Sequence, residues 1–363
     1  VTLKCHTHEG LKIWRLEKTS KVKGVSAMEN KKIAIVGATG RVGQKMLEVF
    51  KDFYPDMKPI LFASKKSAGQ EILFKNEKYI VQELAEENIT DFDYALFSAG
   101  GGVSREFAPI FADKGTIVID NSSCWRIDKD VPLVIPEINP EELKNIPKNI
   151  IANPNCSTIQ MLMALEPVRK LSKITKIVVS TYQAVSGSGQ KAVDEMNNQI
   201  RQYISGEEIT SQVYPNKIAF NALPHIGTFL DNGYTDEELK MVNETHKIFK
   251  DKEIIVEPTT VRVPVINGHS ESVYFELEDK IDIIAIKKAI NDFSGVKYHE
   301  NLEMNIYPLA EYASGKYDVF AGRLRQSLFN EKGYNFWIVA DNILKGAALN
   351  AVQILKKLIE TEK

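Results

Sequence analysis

The sequence predicts an α/β protein in two units, a doubly wound parallel sheet followed by an α+β unit with a mixed sheet. Three observations carry that reading. The chain has 363 residues, and single hydrophobic cores stop growing efficiently near roughly 250 residues. As far as Asn155, short apolar runs alternate with helical stretches, the pattern of parallel strands and crossover helices. Beyond Cys156 the strands lengthen and alternate apolar with polar residues, which suits a sheet with one face covered by helices.

The first 27 residues, ending Val22-Lys23-Gly24-Val25-Ser26-Ala27, have no apolar period and no apolar core of a signal peptide. They read as a non-native or disordered extension outside the fold. Met28 is the expected natural start, just ahead of Glu29-Asn30-Lys31-Lys32 and the first strand. That strand, Ile33-Ala34-Ile35-Val36, runs into a glycine turn, Gly37 to Gly43. Met46, Leu47, Val49 and Phe50 follow at helical spacing and open a βαβ unit. Further strands are expected at Ile60–Ala63, Tyr94–Phe97 and Ile117–Asp120, the last two flanking a helix around Glu106–Lys114. In the second unit, strands are expected at Lys176–Tyr182, Thr259–Val265, Ser272–Leu277 and Phe336–Val339. Asn342–Leu358 reads as one long amphipathic helix with Ile343, Leu344, Ala347, Ala351, Ile354, Leu355 and Leu358 on its buried stripe. It is expected to return to the first unit, so the units are residues 28–155 with 342–363, and residues 156–341.

Composition excludes several classes of partner. The 46 basic and 48 acidic side chains nearly cancel, to −2, and are interspersed. No nucleic-acid or membrane partner is expected from such a surface. Three cysteines, Cys5, Cys124 and Cys156, have neither disulfide nor metal-ligand spacing, which points to free thiols in a reducing compartment. No metal site is expected. No apolar run reaches the ~18 residues of a transmembrane helix. The expected location is cytoplasmic.

The turn Gly37-Ala38-Thr39-Gly40-Arg41-Val42-Gly43 stands where backbone amides can approach a pyrophosphate, between a strand and a helix. Its spacing is GxxGxxG, so a plain strand–helix turn competes with a dinucleotide site. The second strand ends Ala63-Ser64-Lys65-Lys66-Ser67, without the carboxylate that would bond a free ribose hydroxyl. Lysines and hydroxyls suit a 2′-phosphate and favour NADP over NAD; an ordinary basic surface turn is the alternative. Ser98-Ala99-Gly100-Gly101-Gly102 adds a second glycine turn after another strand.

Asn153-Pro154-Asn155-Cys156-Ser157-Thr158 precedes an apolar helix, placing Cys156 at a helix N-terminus. Unpaired amides and the helix dipole there lower a thiol pKa, so Cys156 reads as a nucleophile for a carbonyl substrate. A free cysteine is otherwise a small buried apolar residue, the reading that fits Cys124. Proton transfer falls to His269, on the turn Asn267-Gly268-His269, or to its rival His225 in Leu223-Pro224-His225. Arg262 offers a planar fork for a carboxylate or, alternatively, an ordinary ion pair.

With these residues assembled, the chain resembles the aspartate-semialdehyde dehydrogenases from Met28 nearly to its end. The likeness rests on the glycine turn, Asn121-Ser122-Ser123-Cys124-Trp125-Arg126, Val131 to Asn139, Asn153 to Thr158, Thr181 to Gly187, Arg262 to Ser272 and Ala340-Asp341-Asn342. It implies a Rossmann-like dinucleotide-binding domain plus an α+β catalytic and dimerisation domain with a mixed sheet, assembled as a homodimer or homotetramer. It further implies that Cys156 adds to aspartate 4-semialdehyde, that NADP takes the hydride, and that phosphate releases 4-aspartyl phosphate. The pathway is lysine, methionine, threonine and diaminopimelate biosynthesis, in the reverse, reductive direction. His269 is the implied acid/base and Gln183 the orienting amide. Arg262 takes the substrate carboxylate and Glu237 its amino group, while Lys240, Arg126 and Asn155 take phosphate, with Gly187 beside them. Gly37, Thr39, Gly40, Arg41, Val42, Ser64, Lys66, Ser67, Ser98, Gly100 and Asn342 fall at cofactor positions.

Read alone, Gln183 could satisfy its own turn, and Glu237 with Lys240, on one helical face, could be a solvated pair. Two departures stand out: Lys66 replaces the Arg of many relatives, and Gln326-Ser327 lacks an expected acid. Alternative activities are another phosphorylating aldehyde dehydrogenase, on N-acetylglutamyl or glyceraldehyde phosphate substrates, and a non-catalytic nucleotide-binding relative. A free amine and carboxylate on the substrate would suit Glu237 and Arg262.

Overall fold

The structure, a computed structural model, describes residues 2–8, 11–17 and 31–361. Strands β1 (Thr2–His8) and β2 (Leu11–Glu17) pair antiparallel as a separate two-stranded sheet, so part of the expected disordered extension is a hairpin. Seven-residue strands in full register let the backbone amides satisfy one another without joining either larger sheet. Met28 lies outside the described residues.

The first unit begins with β3 (Ile33–Val36), α1 (Arg41–Phe53) and β4 (Ile60–Ala63). A small hairpin, β5 (Glu71–Phe74) and β6 (Glu77–Ile80), leads to β7 (Gln82–Glu83) and β8 (Tyr94–Phe97). Then come α2 (Gly101–Asp113), β9 (Ile117–Asp120) and β10 (Ile150–Ala152). Six strands form a parallel sheet in the order β10-β9-β8-β3-β4-β7. Alternate residues of β3 serve opposite faces: Ala34 and Val36 join one core cluster, Ile33 and Ile35 the other. That two-sided burial explains why these strands read as unbroken apolar runs. The strand order reverses beside β3, so the loops after β3 and β8 diverge from a crevice at their carboxyl ends, where open α/β sheets take ligands.

Helix α3 (Cys156–Arg169) leads into β11 (Ile174–Ala184), α4 (Gln190–Ser205), α5 (Asp236–Phe249), β12 (Ile255–Val263) and β13 (His269–Leu277). The chain continues through α6 (Ile283–Asp292), β14 (Val296–Tyr298), α7 (Ala310–Ala313), β15 (Val319–Gln326) and β16 (Gly333–Ala340). Their sheet runs β12-β11-β13-β16-β15-β14 and is mixed, with β11–β12 and β14–β15 parallel. The expected strand Thr259–Val265 lies earlier, at Ile255–Val263, because Pro264 has no N–H to continue the ladder.

The chain then returns to the first unit. The expected single helix from Asn342 instead begins as a π-turn, Leu344–Ala348, before α8 (Leu349–Thr361). Asn342 through Val352 are buried all round, not along one stripe, because the segment packs between α1 and α3. Farther along, Ile354, Leu355 and Leu358 join Leu47, Leu96 and Ile119 in the first unit's outer core.

Candidate active site

Cys156 is the first residue of α3, directly after β10 and a Pro-Asn turn. Asn155 caps the helix: its side-chain oxygen accepts the amides of Ser157 at 2.9 Å and Thr158 at 3.4 Å. Its amide nitrogen donates to Glu237 Oε1 at 2.9 Å. One side chain thus fixes the helix start and ties it to α5.

The predicted side chains meet in a cavity of about 370 Å³ between the two units. Cys156, His269, Gln183, Arg126, Asn155, Glu237, Lys240, Arg262 and Gly187 line it, with Val42 and Asn342 from the predicted cofactor set. They come from widely separated segments. Gln183 and Arg262 are register partners on β11 and β12, and His269 opens β13. Gly187 gives room between the cationic and imidazole groups: a Cβ there would lie 2.9 Å from the Arg262 guanidinium and 3.3 Å from the His269 ring.

Residues 237 and 240 do not form a solvated surface pair. Glu237 is 8% exposed and receives Asn155, Gln183 (3.3 Å) and Lys240 (3.1 Å). Burial alone would raise its carboxyl, but the Lys240 charge and these hydrogen bonds outweigh that and hold it below the ordinary range. Lys240 also donates to Asp236 at 2.7 Å. Gln183 reaches past its own turn to donate to Ser157 Oγ.

His269 is fully buried. The Ala184 N–H donates to its Nδ1 at 3.0 Å, so the proton of the neutral ring sits on Nε2, which has no partner among the described residues. Burial, assisted by the Arg262 charge, holds the imidazole well below its ordinary 6.5. Arg262 donates to the Ala184 carbonyl at 2.7 Å and keeps a buried Nε–H without an acceptor among the described residues. The rival His225 stacks on Phe229, with ring centroids 4.2 Å apart, and does not line the cavity.

The thiol departs from expectation. Burial pushes Cys156 up to about 12, with Glu237 adding to the rise, while Arg126, Arg262 and the Ser157 amide oppose it. Desolvation outweighs the helix N-terminus. Cys124, expected to be buried, is only half-buried, as Cys156 is.

The glycine turn fits a dinucleotide backbone. A Cβ on Gly37 would stand 2.7 Å from the Ser98 carbonyl, and one on Gly43 2.2 Å from the Gly37 carbonyl, so both loops close together only without side chains. Thr39, Gly40, Arg41 and Val42 lead into α1, and Gly100 stands before α2. Ser64, Lys66 and Ser67 lie at a short turn after β4, with Ser64 and Lys66 exposed. Two predicted cofactor contacts are engaged elsewhere. Arg41 donates to Gln190 at 2.8 Å and Asn267 at 2.9 Å, bridging the units. Asn342 Oδ1 accepts the Gly268 amide at 2.9 Å, while its Nδ2 donates to Ser186 at 3.0 Å.

Two contributors escaped the sequence reading. Gly346, in the π-turn, lies where a Cβ would come 2.7 Å from Cys156 Cβ. Glu244 on α5 bonds both Arg126 and Asn155. Its spacing from Glu237 and Lys240, seven and four residues on, was the available signal for a shared face. Nothing in the sequence marks residues 344–348 as a π-turn.

Comparison with known proteins places this geometry among relatives. Residues 32–146 match the family described as Semialdehyde dehydrogenase, NAD binding domain, and residues 165–345 that described as Semialdehyde dehydrogenase, dimerisation domain. Aspartate-semialdehyde dehydrogenase of Aquifex aeolicus is 49% identical over 333 residues, 91% of this chain and 98% of its own. Its namesake from Bacillus subtilis is 47% identical over 335 residues, 90% of this chain and 96% of its own. The crystal structure of aspartate semialdehyde dehydrogenase II from Vibrio cholerae, complexed with ASA, aligns with a TM-score of 0.88 at 44% identity. It covers 91% of this chain and 98% of that one.

Proposed function

The chain belongs to the aspartate-semialdehyde dehydrogenases, oxidoreductases of lysine, methionine, threonine and diaminopimelate biosynthesis, and we propose how its cavity performs their reaction. Aspartate 4-semialdehyde and phosphate are interconverted with 4-aspartyl phosphate through a thioester on Cys156. The observation that carries this reading is the meeting of one thiol, one imidazole, two arginines and a buried acid–base pair in a single cavity.

In the oxidative direction Sγ of Cys156 adds to the aldehyde carbon while its S–H bond breaks and that proton passes to the aldehyde oxygen, giving a thiohemiacetal. The hydroxyl proton of the thiohemiacetal is released as the C–H hydride leaves and the thioester carbonyl forms. The His269 Nε2–H, neutral and unpartnered among the described residues, donates to that same oxygen. To accept a proton at Nε2 the ring must first carry one on Nδ1, which gives up the Ala184 contact. Gln183 orients the intermediate. Arg262 grips the α-carboxylate with the donors its Ala184 contact leaves open, and Glu237 takes the α-ammonium. Arg126, Asn155 and Lys240 receive phosphate, whose oxygen attacks the thioester and frees the thiol. A bound nicotinamide supplies or accepts the hydride. The glycine turn would cradle its pyrophosphate, and Ser64, Lys66 and Ser67 would meet a 2′-phosphate, which makes NADP the cofactor. An N-acylated substrate has no ammonium for Glu237, which disfavours the N-acetylglutamyl alternative.

The cytoplasm is the proposed location; among the described residues no helix is long and apolar enough to cross a membrane. We take the units as residues 28–155 with 342–363 and residues 156–341, pairing as a homodimer or a pair of dimers. The test combines variant and cofactor. Cys156→Ala is expected to abolish phosphate-dependent oxidation while retaining dinucleotide binding, and NADP is expected to exceed NAD in initial-rate efficiency. Turnover by Cys156→Ala would remove the thioester; equal efficiencies would remove the 2′-phosphate assignment.

A further inference from the structure

We propose that Glu244 is a positioning residue that locks the anion-binding Arg126 to the start of the nucleophile's helix, so that phosphate engagement and Cys156 placement are set by one carboxylate. The proposal rests on the assignment of phosphate to Arg126.

Glu237, Lys240, Glu244 and Lys247 recur along α5 at intervals of three, four and three residues, so they share the face turned toward the cavity and the loop beside it. Glu244 lies deepest, at 0% exposure. Its two oxygens serve different segments. Oε1 accepts from the Arg126 guanidinium at 3.2 Å, and Oε2 accepts the backbone amide of Asn155 at 2.6 Å. Arg126 belongs to the loop after β9 and Asn155 precedes α3, so the two segments meet through this side chain. Lys247 reinforces the same loop by donating to the carbonyls of Arg126, Asp128 and Val131 at 2.7–2.8 Å.

The Arg126 fork is thereby divided. One nitrogen holds Glu244, another the Asn121 carbonyl at 3.0 Å, and the buried Nε–H has no acceptor among the described residues. A guanidinium fixed at two corners presents its remaining donors in a set direction, as recognition of a tetrahedral anion requires. The bond to the Asn155 amide also holds the residue whose side chain caps α3 beside Cys156. A neutral amide at 244 puts an NH2 donor in place of one carboxylate oxygen, so either the Arg126 guanidinium or the Asn155 amide then faces a donor instead of an acceptor.

The experiment varies inorganic phosphate at saturating semialdehyde and cofactor in Glu244→Gln, Glu244→Asp and, in parallel, Arg126→Ala. Glu244→Gln is expected to raise phosphate KM about tenfold or more, with semialdehyde KM and dinucleotide Kd within about twofold of the parent. Glu244→Asp keeps the charge on a shorter stem and recovers part of the loss. A merely structural role lowers the active fraction and hence kcat, leaving phosphate KM unchanged; that result overturns the proposal. If Glu244→Gln does not fold, Glu244→Asp decides by the same criterion. Unchanged phosphate saturation in Arg126→Ala would show instead that the phosphate assignment itself is wrong. A raised phosphate KM in Arg126→Ala with parent-like values in both Glu244 variants would leave that assignment standing and remove the lock.

Discussion

Cys156 occupies the first turn of α3, where unpaired amides favour a thiolate, yet burial and Glu237 push its thiol up to about 12. The helix terminus contributes a partial charge, and desolvation of the half-buried thiolate outweighs it. Iodoacetamide labelling of the free enzyme, followed at the Cys156 peptide by mass spectrometry, is therefore expected to accelerate about tenfold per pH unit between pH 7 and 10, as thiolate fraction governs thiol reactivity. A plateau near pH 8 would mean that the helix terminus and the two arginines prevail. His269 shows the same effect with opposite sign. Its cation is disfavoured by burial and by Arg262, so the ring stays neutral throughout the working range and serves as a donor from Nε2.

At the scale of elements, the π-turn Leu344–Ala348 brings chain from the far end of the sequence against the nucleophile. Such turns insert an extra residue and occur often at functional sites. Gly346→Ala would place a methyl 2.7 Å from Cys156 Cβ, so the thiol must move. A kcat loss on the order of 10²-fold, with a circular-dichroism spectrum like the parent's, is the expected result, since small misplacements of reacting groups are that costly. Parent-like kcat would show that the turn yields instead.

Strand β13 also carries a buried acid. Glu271, two residues beyond His269 on the same face, lies near the Gln160 side-chain amide, but among the described residues neither its oxygens nor Gln160 Oε1 make a well-formed hydrogen bond. Burial holds the Glu271 carboxyl well above its ordinary 4.5, with Gln160 opposing. The native state thus keeps a proton that the unfolded chain releases above that value, and this group's contribution to stability falls as pH rises. Glu271→Gln removes that dependence and adds a donor beside Gln160. Its urea midpoint is expected to exceed the parent's by a margin that widens from pH 5 to pH 8; a margin constant with pH would show that Glu271 is ionised in the native state.

The whole molecule has a shared interior. One apolar cluster runs from Ala34, Val36 and Phe62 of the first sheet through Met161–Leu165 of α3 to Phe275 and Ile338 of the second. Helix α3 serves both units, which is why Ser157 through Val168 are buried on every side. The opposite face of the second sheet is open and carries Val178 at 36% exposure and Tyr182 at 39%. With residues 165–345 matching a dimerisation domain, that face is the expected contact between copies. Val178→Glu should place a charge in it and halve the mass measured by light scattering, because an unpaired charge in an interface core carries a large desolvation cost. An unchanged mass would move the contact elsewhere.

Much of both sheets was legible in the sequence, since strand burial is written in local periodicity: unbroken apolar runs for β3 and β8, alternation for β11 and β13. Strands β7, β10, β14 and β15 were not expected: the first three are only two or three residues long, and β15 is interrupted in its pairing with β16 between Gly322 and Arg325. Residue chemistry pointed to Cys156, His269 and Arg262 among the side chains that line the cavity, whereas Gln183, Glu237, Lys240, Arg126 and Asn155 were expected there only from the family resemblance. Tertiary structure decided what those groups experience. The height of the Cys156 pKa, the tautomer of His269, the burial of Glu237 and the double engagement of Glu244 all depend on segments from Asn121 to Gly346 converging on one cavity. Desolvation and hydrogen-bond geometry arise between residues distant in sequence, and local pattern carries no record of them. The π-turn belongs with these: its residues are ordinary helix formers apart from Gly346, and the packing between α1 and α3 is what distinguishes it from the helix the sequence predicts.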